Sequence, residues 1–115
     1  MGYGLKQYGD CSEDVIRACP VEMALHTIGG KWKGIIIDIL SKKPVRFNEM
    51  RRLIPGISQR MLTLQLRDLE EDGIVKRVVD DNTVPLKVEY SLTEQGNNLL
   101  GIIDSLRVWG EEFLS

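Results

Sequence analysis

Apolar positions along this chain recur at helical spacing in several separate stretches. Val21, Ala24, Leu25 and Ile28 form the first stripe, after Cys19-Pro20. Proline suits the first position of a helix, where its missing N–H has no intrahelical bond to lose. The stripe ends at Gly29-Gly30. A second helical pattern runs from about Lys31 to Ser41, with Trp32, Ile35, Ile36, Ile39 and Leu40 on one face, until Pro44 breaks it. Val45 to Phe47 reads as a short extended link. Asn48 is placed to cap a third helix that turns Met50, Leu53 and Ile54 inward and leaves Glu49, Arg51 and Arg52 outside. Pro55-Gly56 supplies a turn. Ser58 then caps a fourth helix, Ser58 to Asp72, whose Leu62, Leu66 and Leu69 repeat at core spacing, and Gly73 closes it as a left-handed residue. Ile74 to Val79 and Val88 to Leu92 are rich in β-branched residues and read as two antiparallel strands. They are joined by a polar connection, Asp80 to Lys87, containing Asn82 and Pro85. Thr93 caps a final helix striped by Leu99, Ile102, Ile103, Leu106, Trp109 and Phe113.

Helix, turn, helix, two-stranded ribbon, helix is the order of a winged helix-turn-helix, an α+β and mostly helical plan. On a 100° wheel, Leu62, Leu66 and Leu69 fall within about 60° of one another and face the core. Arg60, Thr63, Leu64 and Arg67 fall on the opposite side, with Ser58 and Gln59 in the first turn. Arg, Thr and Gln carry the hydrogen-bonding groups that major-groove base edges require. A helix N-terminus also turns free N–H groups toward phosphate. Gln59, Arg60, Thr63 and Arg67 are therefore expected at bases or adjacent phosphates. Lys31, Lys33, Arg46, Asn48, Arg51 and Arg52 are expected to fix position through the backbone. In the wing, Asp80-Asp81 would repel phosphate, so only Lys87, with Lys76 and Arg77 on the flanking strand, could help. A plain solvent turn fits that segment equally well.

Charge changes the picture. The chain of 115 residues is net −2, which by itself argues against a nucleic-acid partner. Yet Lys31 to Arg67 holds nine Lys/Arg against Asp38 and Glu49, a net of +7, and the remainder is net −9. A cationic block on an acidic chain predicts one basic face for phosphate. The length fits one domain, expected over residues 19–115 behind a flexible arm at 1–18. No apolar run approaches the roughly 20 residues that span a bilayer, and Met1 to Ala18 lacks an apolar signal core, so a cytoplasmic location is expected. Two cysteines and one histidine offer neither a disulfide scaffold nor a metal site. No cofactor is expected, since Gly29-Gly30 reads as a helix terminator rather than a phosphate loop. No nucleophile–base pair is visible, which sets enzymes aside.

Several blocks resemble the signature of the HxlR family of bacterial winged-helix transcriptional regulators. They are Cys19-Pro20-Val21-Glu22, Gly29-Gly30-Lys31-Trp32, Arg46-Phe47-Asn48-Glu49, Pro55-Gly56-Ile57-Ser58-Gln59 and Val88-Glu89-Tyr90-Ser91-Leu92-Thr93. The resemblance spans about Cys19 to Phe113. It implies a non-catalytic homodimer on double-stranded DNA with two related half-sites, and a dimer interface built from the first and last helices. Val21 and Leu25 would contribute from the first; Leu99, Ile102, Ile103, Leu106, Trp109 and Phe113 would contribute from the last. That stripe could equally pack on its own domain. Some members sense electrophiles or oxidants through the cysteine of the Cys-Pro block, here Cys19. A helix N-terminus favours its thiolate, whereas Glu13, Asp14 and Glu22 oppose it, and a capping and packing role is the other reading. Cys11 matches no block of the family. A rival from another class is a winged-helix protein-interaction module with no specific operator. The basic block argues against it, because the centre of a protein interface is usually depleted of charge.

Overall fold

A computed structural model describes residues 19–115, so the arm expected at 1–18, with Cys11, lies outside the described residues. The elements are α1 (Pro20–Ile28), α2 (Lys33–Leu40), α3 (Phe47–Leu53), α4 (Gln59–Glu71), β1 (Val75–Asp80), β2 (Lys87–Leu92), α5 (Glu94–Asn98) and α6 (Leu100–Leu114). The winged helix-turn-helix plan holds: α3, turn, α4, then the β1–β2 ribbon. The core that fixes it comprises Ile36, Ile37 and Leu40 from α2, Met50 and Ile54 at α3, and Leu62, Leu66 and Leu69 from α4. Ile74, Val75 and Leu92 extend it to the ribbon. The three leucines of α4 are the set that the wheel turns inward.

The joints have identifiable causes. Gly56 in the turn and Gly73 after α4 have φ of 84° and 76°, a region that favours glycine. After α4 the Gly73 N–H donates to the Glu70 carbonyl at 3.0 Å and the Ile74 N–H to the Leu69 carbonyl at 2.9 Å. This double closure ends the helix and delays the strand to Val75, one residue later than the β-branched run begins. Thr93 Oγ1 accepts from the Gly96 N–H at 3.0 Å and lies 2.6 Å from the Gly73 carbonyl, so one side chain caps α5 and pins the end of α4. A Cβ at Gly96 would collide with the Ile74 carbonyl oxygen, which explains a glycine inside a helix. The strands pair from Val75↔Leu92 to Asp80↔Lys87. Val45 adds a one-residue rung against Tyr90, with bonds of 3.0 and 2.8 Å in both directions.

Five expectations are corrected. The second helix starts at Lys33 rather than Lys31, because residues 30–32 form a turn. It buries Ile36, Ile37 and Leu40, while Ile35 stays 45% exposed. A run of three isoleucines fits more than one helical face, so periodicity alone chose wrongly. The third helix starts at Phe47 after an extended Arg46, with no side-chain cap, since the Val45–Tyr90 rung holds the chain extended up to that point. Asn48 therefore lies inside the helix with its side chain exposed, and Leu53, expected inside, is exposed. Finally, the last helix is two: α5 and α6 meet at Leu99, whose N–H turns back to the Gly96 carbonyl at 3.1 Å.

Candidate nucleic-acid interface

Helix α4 is held by its buried leucines and capped by Ser58, whose Oγ accepts from the Met61 N–H at 3.0 Å. The opposite face carries the predicted readers. Gln59, Arg60, Thr63, Leu64 and Arg67 line one shallow depression of about 560 Å³. Gln59, Arg60 and Arg67 are exposed; Thr63 is half-buried and donates its hydroxyl to the Gln59 carbonyl at 2.9 Å. Its oxygen can still accept from a base amino group. Leu64, which the wheel puts on this face without assigning it a role, is 42% exposed beside them. An apolar side chain there suits contact with a thymine methyl.

Two further depressions adjoin the helix-turn-helix. One, at the turn, is lined by Asn48, Arg51, Arg52 and the Ile54–Ile57 segment. The other, between α3 and the base of the wing, is lined by Arg46, Phe47, Asn48, Glu49, Arg52, Leu86 and Val88. Asn48 and Arg52 belong to both, so the structure brings Arg46, Asn48, Arg51 and Arg52 to one continuous edge. Lys87 lies 3.7 Å from Glu89, and the wing tip presents Val84 and Leu86 to solvent beside Asp80 and Asp81. Leu86 went unmarked because exposure at a loop tip leaves no periodic signal.

Lys31 and Lys33 are not part of that edge. Lys31 stands over the Trp32 ring, 4.6 Å from its centroid, and borders an apolar groove of about 400 Å³ between α1, α2 and α6. Lys33 forms an ion pair with Asp68 of α4 at 3.6 Å. Asp68 gave no sequence signal, because nothing in spacing links residues so far apart.

Cys19 caps α1: it is buried, and its Sγ accepts from the Glu22 N–H at 3.5 Å. The residues expected at a dimer interface divide in two. Leu99 and Ile103 pack against the domain's own core, whereas Val21, Leu25, Ile102, Leu106, Trp109 and Phe113 are about half exposed or more. No residue of α6 is buried, although it is the longest helix described. Among the described residues no helix is long and apolar enough to cross a membrane.

A capped helix with a polar, cationic outer face, set between a turn and a two-stranded wing, defines a winged helix-turn-helix of the DNA-binding class. Residues 27–115 match the model of the HxlR-like helix-turn-helix family, and the chain belongs to that family. It is 54% identical to the HTH-type transcriptional regulator YdeP of Bacillus subtilis (strain 168) over 104 residues, 90% of this chain and 80% of the relative. Among solved structures, the redox regulator HypR in its reduced form superposes with a TM-score of 0.78 at 56% identity, covering 82% of this chain and 92% of that one. The reduced form of the regulator YodB from B. subtilis gives a TM-score of 0.75 at 41% identity, with coverage of 83% and 93%. The chain is a transcriptional regulator of the helix-turn-helix type.

Proposed function

We propose that the protein acts as a homodimer on an operator of two related half-sites, with α4 of each protomer entering a major groove. The observation that carries this reading is the outer face of α4, where Gln59, Arg60, Thr63 and Arg67 share one exposed depression on a helix whose other face is locked into the core. Arg46, Asn48, Arg51 and Arg52 would hold the adjacent phosphates. The apolar side chains that α1 and α6 leave in solvent would be covered by a second copy, as a patch of that kind favours. Selection of bound duplexes from a random library tests the operator. Enrichment of an inverted or direct repeat supports the reading; binding without sequence preference contradicts it and favours the protein-interaction module.

Redox control through Cys19 is the second part of the proposal. HypR is described as a redox regulator, and Cys19 sits under the first turn of α1, on a helix given to the proposed interface. Cys19 is buried beneath the cap it forms, so an oxygen or second sulfur added to Sγ would need room there, and modification would loosen α1. A Cys19→Ser variant that answers oxidant as the parent does would remove this part and leave the operator reading standing.

A further inference from the structure

Lys33 occupies the first position of α2, the end where the helix dipole favours an anion, and the first turn of α2 holds no acid. Its side chain is only 13% exposed, the least of the charged groups in ion pairs among the described residues. The other three pairs, Lys43–Glu49, Lys87–Glu89 and Arg107–Asp104, are local in sequence. Lys33–Asp68 joins two helices, at 3.6 Å.

Asp68 follows Arg67 directly and flanks the reading face of α4. The helix as a whole carries Arg60 and Arg67 against Asp68, Glu70 and Glu71, so its own charge is unfavourable to DNA. An unmasked carboxylate at position 68, 55% exposed, would repel the phosphates that Arg67 approaches.

We infer that Lys33 is a positioning residue for DNA reading rather than a phosphate contact: it neutralises Asp68 and tethers α4 to α2. The inference rests on the proposal that α4 reads DNA. Its signature is dependence on Asp68. A lysine that touches phosphate would lose the same affinity when removed, whatever stands at 68. A lysine that masks Asp68 loses its importance once that carboxylate is gone.

The test is a double-mutant cycle with Lys33→Met and Asp68→Asn on the duplex that the unmodified protein selects from a random library. Lys33→Met alone is expected to weaken binding by about three- to tenfold, and by less than about twofold in the Asp68→Asn background, a coupling of the size seen for contacting residues. In the Asp68→Asn background Lys33→Met should leave the salt slope unchanged, whereas loss of a phosphate contact lowers it by about 0.9 per protomer in either background. Equal losses in the two backgrounds, or a slope that Lys33→Met lowers in the Asp68→Asn background, overturn the inference. If Lys33→Met does not fold, Lys33→Gln and the swapped pair Lys33→Asp/Asp68→Lys replace it; the swapped pair should bind better than Lys33→Asp alone, and no recovery counts against the inference. A parent that selects no sequence would instead remove the operator reading itself, an outcome distinct from additive losses.

Discussion

Truncating both aromatic side chains at the end of α6, Trp109→Ala with Phe113→Ala, probes the proposed interface where it is most exposed. The rings stack with centroids 5.2 Å apart and planes 11° from parallel, and they are 63% and 75% exposed in the single chain. A buried aromatic residue covers about 200 Å², so a partner could still remove on the order of 130 Å² from Trp109 and 150 Å² from Phe113. At roughly 25 cal/mol per Å² that is about 3 and 4 kcal/mol per protomer, and a two-fold interface contains each contact twice. Ordering and polar desolvation oppose association, so area overstates the result. Alanine also keeps part of the contact. A loss of about 4 kcal/mol, near a thousandfold in dimer Kd, is therefore a conservative expectation. Sedimentation velocity over a concentration series reads it directly. Circular dichroism on the same samples should show helix content retained, since neither ring packs against the domain's own core. A double variant with the parent's dissociation constant would refute the placement of these rings in the interface.

Arg60→Ala and Arg67→Ala should each weaken operator binding by about 1–3 kcal/mol if the side chain reads a base, and unchanged affinity in both would sink that assignment. Arg52→Ala should weaken binding on every sequence and lower the salt slope by about 0.9 per protomer; altered sequence preference with an unchanged slope would mean the contacts were sorted wrongly. Ser58→Ala removes the cap of α4 and should cost about 1 kcal/mol of stability in a denaturant titration. Gly96→Ala should destabilise by more than that, since the added methyl meets the Ile74 carbonyl; an unchanged melting curve would contradict the close approach.

What the chain disclosed in advance and what it withheld follow from physics. Leu62, Leu66 and Leu69 announce α4 because one narrow stripe on an otherwise polar helix fits a single orientation. The three consecutive isoleucines of α2 fit several, and only packing into the shared core, beside β2 and α6, selects Ile36 and Ile37. Proline and glycine marked the turns well. Asn48 was misplaced because the rung between Val45 and Tyr90 is non-local, so no neighbouring residue signals where α3 begins. The polar outer face of α4 was visible by periodicity, yet the separation of Lys31 and Lys33 from the basic edge was not. Charge counted along a segment says nothing about which element each lysine leans upon, and Asp68 lies well beyond the reach of a helical pattern.

The central claim is that paired α4 helices read two half-sites. Hydroxyl-radical footprinting of the bound selected duplex tests it most directly. The account predicts two protected patches on one face of the DNA, centred about one helical turn, roughly 34 Å, apart, with Arg60→Ala or Arg67→Ala weakening both together. A single protected patch, or protection indifferent to both arginines, would contradict it.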